Sequence, residues 1–279
     1  YENATTVLKN GGDILPIKDL VKNKIAYVKL GDDTNASFIS TLKKYAGVTE
    51  VSAPTIDSLN VKLKEFTTVI VGYHKADKPW KNNDFTSNEL IWLQEIARNN
   101  RVIVDVFAKP YSLLPLANYS EIEGLIVSYQ NNDIAQQVGA ELIFGAIEAK
   151  GKLPVSINDN FKVNDGLSTE RLNRLGFTAP ENVGMSSEKL TKIDALVQKA
   201  IAGKMAPGVQ VVVARKGKVI YQKAFGNYTY DSDVKITNET IFDVASVSKI
   251  VGTLPNVMQQ YDQQKVNLES TLGSMLPIF

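Results

Sequence analysis

Ser246 and Lys249 are the residues of this chain whose types and spacing best suit chemistry. They stand in Ala245-Ser246-Val247-Ser248-Lys249, with Asp243 just upstream and the apolar run Ile250-Val251-Gly252-Thr253-Leu254 just downstream. A helix opening here puts residues three apart on one face, so the hydroxyl and the amine can meet. The serine then sits at a helix N-terminus, where free backbone N–H groups and the dipole favour negative charge. A serine that hands its proton to a lysine is an acyl-accepting nucleophile. Ser-x-x-Lys is a common pattern, and without context it reads as a helix N-cap followed by a solvated lysine.

The context comes from the elements that must position the pair. Residues 209–214 are a β-branched run and read as a buried strand. Lys216-Gly217-Lys218 reads as a tight turn, with glycine free to take positive φ, and residues 219–225 as the returning strand. A helix is expected over 187–203. The order is therefore helix, hairpin, polar loop, serine-bearing helix. That order resembles the front of the β-lactamase and penicillin-binding-protein family of serine hydrolases, above all its class C and esterase-like branch. The residues that carry the resemblance are Pro207-Gly208, Phe225-Gly226 and Ile241-Phe242-Asp243-Val244-Ala245-Ser246-Val247-Ser248-Lys249, within residues 184–279. The resemblance implies Ser246 as nucleophile and Lys249 as its proton partner. The family also places a Tyr-x-Asn or Ser-x-Asn motif and a Lys- or His-bearing strand further on, and neither follows Lys249 here. Tyr261-Asp262-Gln263 does not fit, and its register puts it on the nucleophile helix itself. The chain is thus expected to be part of a longer polypeptide and to be inactive by itself.

The first half alternates apolar strands with amphipathic helices. Strands are expected over 25–31, 48–52, 67–73, 101–107 and 122–129, and helices over 35–45, 86–98 and 133–144. Thr86-Ser87-Asn88-Glu89 has capping-box spacing. Such alternation predicts an α/β fold, a three-layer α/β/α sandwich on a mostly parallel sheet. A partial α+β domain of helix, β-hairpin and nucleophile helix should follow. The stretch 158–184 is rich in Asn, Asp, Gly and Thr and reads as a surface connector. The expected division is a sandwich over 1–170, a linker over 171–184 and a truncated serine-hydrolase domain over 185–279.

The sandwich also carries residues of a known module. Ala4-Thr5-Thr6-Val7-Leu8-Lys9-Asn10 with Ile14-Leu15-Pro16-Ile17, then Phe107-Ala108-Lys109-Pro110-Tyr111, then Phe144-Gly145 and Gly151-Lys152-Leu153-Pro154-Val155 are similar to the C-terminal sandwich of glycoside hydrolase family 3. The resemblance implies an accessory domain to a (β/α)8 barrel that carries the glycosidase nucleophile. In the β-N-acetylglucosaminidase branch a His–Asp pair on that barrel supplies the acid/base. The order sandwich, then β-lactamase-like domain, resembles fusion proteins of that branch in Bacteroidota. It implies a hydrolase of carbohydrate or peptidoglycan-derived substrates, periplasmic or otherwise extracytoplasmic in a Gram-negative bacterium.

Within the sandwich, His74, Asp77 and Trp80 are candidates for substrate binding. They share a loop after an expected strand, and open α/β folds bind ligands outside the carboxyl ends of strands. The competing reading is a polar surface loop, or one packed against the barrel. Asp105 interrupts an apolar strand and reads as hydrogen-bonded at a sheet edge or interface rather than catalytic. A net charge of +1 without a basic stripe argues against nucleic acid, and no apolar run is long enough for a membrane span. The absence of cysteine excludes disulfides and thiolate chemistry, and a single histidine excludes a multi-histidine metal site. No Gly-x-Gly-x-x-Gly follows the first strand and no P-loop occurs, so neither a cofactor nor a metal is expected. The rival to the hydrolase reading is a non-catalytic carbohydrate-binding or structural module with a degenerate hydrolase domain.

Overall fold

The computed structural model describes residues 1–76, 78, 83–116 and 118–275. The chain packs as two units, one of Tyr1–Lys189 with Val212–Tyr221 and one of Leu190–Val211 with Gln222–Phe279.

The first unit is built on a six-stranded sheet of β1 (Thr6–Asn10), β2 (Ile25–Gly31), β3 (Val48–Glu50), β4 (Thr68–His74), β5 (Val102–Phe107) and β6 (Gly124–Val127). Their order is β1-β6-β5-β4-β2-β3. All pairings are parallel except β1 against β6. Every residue of β4 and β5 is buried, as befits central strands covered on both faces. One face packs under α1 (Ala36–Leu42) and α4 (Asp133–Ile143), through Phe38, Leu42, Val138 and Leu142 against Ile70, Ile103 and Phe107. The other packs under α2 (Ile56–Leu63) and α3 (Ser87–Asn99), through Leu59, Leu63, Leu93 and Ile96 against Val69, Val71, Val104 and Val106. The alternation of strand side chains thus feeds two apolar cores, and the fold is the expected α/β/α sandwich. Thr86 caps α3, with Glu89 Oε2 accepting from its backbone N–H at 2.8 Å. The sequence pattern announces neither β1 nor α2. β1 is an antiparallel edge strand, and α2 opens on a Thr55–Ser58 capping box whose serine stands where the usual pattern has Glu or Gln.

Residues of the stretch read as a connector are fastened to this unit. Leu167 N–H donates to Val7 O at 2.8 Å, and Leu172 N–H to Gly145 O at 2.7 Å. The Arg174 guanidinium donates to Ile17 O and Phe144 O at 2.7 Å each and to Lys18 O at 2.8 Å. It thereby satisfies a carbonyl left open at the end of α4. Gly176–Phe177 forms β7, which pairs parallel with β9 (Lys218–Gly226). The buried Glu141 carboxylate accepts from Phe177 N–H at 2.9 Å and from Lys218 Nζ at 3.0 Å.

The hairpin of β8 (Gly208–Arg215) and β9 turns at Lys216 and Gly217, φ +53° and +73°. Two successive positive φ values suit the twist of a two-residue hairpin, and glycine takes the second without steric cost. The three-stranded sheet runs β7-β9-β8. As an edge strand β8 is part-exposed, with Val212 57% exposed, so its β-branched run is not the buried strand its composition suggested. The expected helix over 187–203 is two, α5 (Ser187–Leu190) and α6 (Lys192–Ala202).

In the second unit α6 buries no side chain. Lys223 Nζ pairs with Asp194 Oδ2 at 2.6 Å, Ile236 N–H donates to Gly226 O at 3.0 Å, and Gln210 donates to Thr237 O. Among the described residues beyond β9 the apolar side chains lie largely in the open, Ile241 at 94% exposure. Local stability follows buried contacts. Limited proteolysis is therefore expected to cut first between residues 227 and 248, leaving the sandwich and its tethered 158–184 stretch intact. First cuts within 158–184, mapped by mass spectrometry, would contradict this.

Candidate functional site

Ser246 and Lys249 meet. Lys249 Nζ donates to Ser246 Oγ at 3.0 Å, and both residues are exposed. The turn before them is unusual. Asp243 Oδ1 accepts the Ala245 N–H at 2.8 Å, and Ala245 has φ +42°. A left-handed alanine costs roughly 1–2 kcal/mol, because its Cβ crowds the neighbouring carbonyl. From there Val247, Ser248 and Lys249 N–H groups donate to Val244, Ala245 and Ser246 carbonyls at 2.9, 3.1 and 3.1 Å. These i→i+3 bonds wind up the helix start.

The helix does not run on as a regular α-helix. Lys249–Thr253 is a π turn, with Leu254 N–H reaching back five residues to Lys249 O. α7 (Leu254–Asp262) follows, with Pro255 in its first turn. Proline has no N–H to offer the carbonyl four residues back, and its ring crowds that carbonyl, so a widened turn at this junction relieves the conflict. Lys249 lies within that widened turn. Tyr261 lies on α7, as its register indicated.

The arrangement can do part of an acyl transfer. A hydroxyl and an amine in hydrogen-bond contact can serve as a nucleophile and the acceptor of its proton. A lysine becomes a base at neutral pH when apolar cover or a second cation disfavours its charged form. Here both side chains face solvent. Ser248, two residues on from Ser246, makes no contact with Lys249 of the kind Ser246 makes.

Of the sandwich candidates, His74 is placed differently from expectation. His74 is not in an open loop. It closes β4 at 0% exposure, stacked 4.6 Å from the Phe107 ring. Asn131 Nδ2 donates to Asp33 Oδ2 and to Thr34 O, both at 2.9 Å, so its Oδ1 faces inward. That oxygen accepts from Gln136 Nε2 at 2.7 Å and from His74 Nδ1–H at 2.8 Å. His74 Nε2 is left to accept the Tyr27 hydroxyl at 2.9 Å. Burial holds the imidazole neutral, its pKa down to about 4. The strand order reverses between β2 and β4, the position where open α/β sheets receive ligands. In this chain His74 fills that position with a clamp between strand ends and is shielded from solvent. Asp77 and Trp80 lie outside the described residues.

Asp105 is at no edge. It sits mid-sheet between β4 and β6, opposite Gly72 and Ile126, on the face under α4. Ser128 Oγ donates to its Oδ1 at 2.8 Å, while Oδ2 is buried without a partner. Burial raises its pKa to about 7. The carboxyl fits because position 139 of α4 is glycine, where a Cβ would stand 2.1 Å from Oδ2. Gly139→Ala is thus expected to cost about 1–3 kcal/mol by overpacking, although alanine is the better helix former. Urea denaturation reads this directly, and an unchanged or raised midpoint would show that the carboxyl has room to move. Among the described residues no group of three His, Cys, Asp or Glu side chains is placed to hold a metal ion, and no helix is long and apolar enough to cross a membrane.

The chain is similar to a fungal multi-domain GH3 β-N-acetylglucosaminidase structure, at 17% identity and TM-score 0.47, over 95% of this chain and 32% of that one. A glycoside hydrolase family 3 β-N-acetylglucosaminidase from Paenibacillus sp. str. FPU-7 is similar over 56% of this chain and 31% of its own, at 16% identity and TM-score 0.45. In sequence, an N-acetylmuramyl-L-alanine amidase of Bacillus subtilis (strain 168) is 28% identical over 106 residues, 36% of this chain and 24% of the relative. A putative D-alanyl-D-alanine carboxypeptidase of Salmonella enteritidis PT4 is 26% identical over 113 residues, 38% of this chain and 26% of the relative. The chain spans about a quarter of the length of these curated relatives. The beta-lactamase family model matches residues 193–279. Ser246 and Lys249 lie within the residues that match the beta-lactamase family model, and an α/β/α sandwich precedes them in this chain.

Proposed function

We propose that this chain is part of a hydrolase in which Ser246 is the acyl-accepting nucleophile and Lys249 takes its proton. The 3.0 Å contact between Lys249 Nζ and Ser246 Oγ carries this reading. In the reaction Ser246 Oγ attacks a carbonyl carbon as its proton passes to the uncharged amine of Lys249. The tetrahedral intermediate collapses, the bond to the leaving amine or alcohol breaks, and that group takes the proton from Lys249. Water then attacks the acyl-serine, releases the acid and restores the hydroxyl.

The names of the relatives, an amidase of N-acetylmuramyl-L-alanine and a D-alanyl-D-alanine carboxypeptidase, favour an amide or ester of peptidoglycan type as the substrate. Such a substrate suits an extracytoplasmic enzyme. For the sandwich, the Gly151-Lys152-Leu153-Pro154-Val155 signature and the six-stranded sheet support an accessory role beside a β-N-acetylglucosaminidase-like barrel. The division into a sandwich over 1–170, a linker over 171–184 and a hydrolase segment over 185–279 belongs to this reading. The exposure of Ser246 and Lys249 in this chain favours a further point. The 279-residue chain by itself is expected to turn over neither acyl substrates, since the pair lies open to water, nor aryl N-acetylglucosaminides, since the sandwich is read as an accessory domain.

The test is covalent labelling of the full-length protein with a fluorophosphonate or a β-lactam, followed by peptide mapping. Adduct on Ser246 supports the hydrolase. Full-length protein that stays unlabelled at this serine supports the rival, a carbohydrate-binding or structural module with a degenerate hydrolase segment.

A further inference from the structure

Asp243 has no part in the proton transfer described above, yet it is tied to the backbone that presents Ser246. Its Oδ1 accepts the Ala245 N–H at 2.8 Å, closing a side-chain turn across Val244. That bond is made to the residue whose φ of +42° is disfavoured for alanine. Short carboxylate and amide side chains support such turns by substituting for a backbone carbonyl. Ser246 follows at once, and the next N–H bonds of the chain, from Val247, Ser248 and Lys249, start the turn that brings Lys249 back over the hydroxyl. The direction in which Ser246 projects from the chain is therefore set at Ala245.

We propose that Asp243 is a positioning residue for the Ser246–Lys249 pair: its side-chain oxygen holds Ala245 in the left-handed region, and so holds Ser246 Oγ within reach of Lys249 Nζ. The proposal rests on the reading of Ser246 as nucleophile. The role belongs to the acceptor oxygen and not to the negative charge, so asparagine can fill it. It acts through the conformation of residue 245, so glycine there, which takes positive φ without steric cost, makes it dispensable.

The experiment measures the rate of fluorophosphonate adduct formation at the Ser246 peptide in the full-length protein, by mass spectrometry. Asp243→Ala is expected to slow labelling about tenfold, the range set by the cost of a left-handed alanine. Asp243→Asn is expected to return to within about threefold of the parent, and the double variant Asp243→Ala with Ala245→Gly to recover most of the loss. A loss of fold common to all Asp243 replacements would not give this pattern, and the double variant carries no strained residue that needs the aspartate in order to fold. An unchanged rate in Asp243→Ala overturns the proposal. So does an Asp243→Asn variant as slow as Asp243→Ala, because the charge would then be what matters. So does a double variant with no recovery, because the effect would not pass through residue 245. Label that persists in Ser246→Ala instead overturns the nucleophile reading, and the proposal with it, and is told apart from the other results by the peptide that carries the adduct.

Discussion

Ser246→Ala is expected to abolish covalent labelling of the full-length protein at this peptide, and Lys249→Ala to slow it by about 100-fold to 10,000-fold, the usual worth of a general base. The two effects differ because the hydroxyl forms the bond to the acyl group whereas the amine lowers the barrier to proton removal. Ser248 serves as the internal control, since Ser246 and not Ser248 accepts from Lys249. Ser248→Ala should label at the parent's rate. In the 279-residue chain Ser246 should label slowly whether residue 249 is lysine or alanine, because the pair lies open to water. Label that survives Ser246→Ala, or a Lys249→Ala variant as fast as the parent, would return the pair to a helix cap and a solvated lysine.

The second large effect is on stability, and it comes from two buried groups that pull in opposite directions. Asp105 has its pKa raised by burial from 3.8 to about 7. Its folded form binds the proton more tightly than its unfolded form. The stabilisation is complete below the unfolded value and is lost as pH rises through the folded one. His74 has its pKa lowered by burial from 6.5 to about 4. Its folded form binds the proton less tightly, so its contribution is present above the unfolded value and lost as pH falls toward 4. Between about pH 4 and pH 6.5 one group's slope offsets the other's. Asp105→Asn, which keeps the shape and cannot ionise, should remove one slope and expose the other. The variant should gain on the parent as pH rises from 4 to 7, by roughly 4 kcal/mol at most, from about 1.4 kcal/mol per unit. The parent itself should be nearly flat over that window as far as these two groups are concerned. Urea midpoints of both proteins across pH 4 to 8 test this. A constant gap between them would mean that Asp105 stays charged in the fold or keeps an ordinary affinity for its proton.

The sandwich was legible in the sequence because its signals are local and repeated. Val69-Ile70-Val71 and Val102-Ile103-Val104 are continuous apolar runs, the usual mark of a strand covered on both faces. Thr86 and Glu89 announce the start of α3 by chemistry confined to one turn. The meeting of Ser246 with Lys249 is of the same kind, since a spacing of three on one helical turn brings side chains together whatever lies beyond.

Tertiary packing decided what local pattern could not. His74 and Asp105 are polar residues in apolar strands, and their types allow a ligand site, a sheet edge or a buried network equally. The choice was made by residues far away in the chain: Asn131 and Gln136 for His74, at 57 and 62 positions' remove, and Ser128 and Gly139 for Asp105. The stretch of residues 158–184 reads as a loop by composition, yet Arg174 and Glu141 tie it down through carbonyls and N–H groups that every sequence possesses. Residues 209–214 have the composition of a buried strand, but burial is set by what lies alongside, and β8 is at an edge. The left-handed turn at Ala245 was equally invisible, because alanine does not advertise positive φ. Spacing within one turn of helix sufficed to place a serine hydroxyl beside a lysine amine. Which polar groups are dry, and which face water, depends on contacts between distant segments, and only the folded chain brings those segments together.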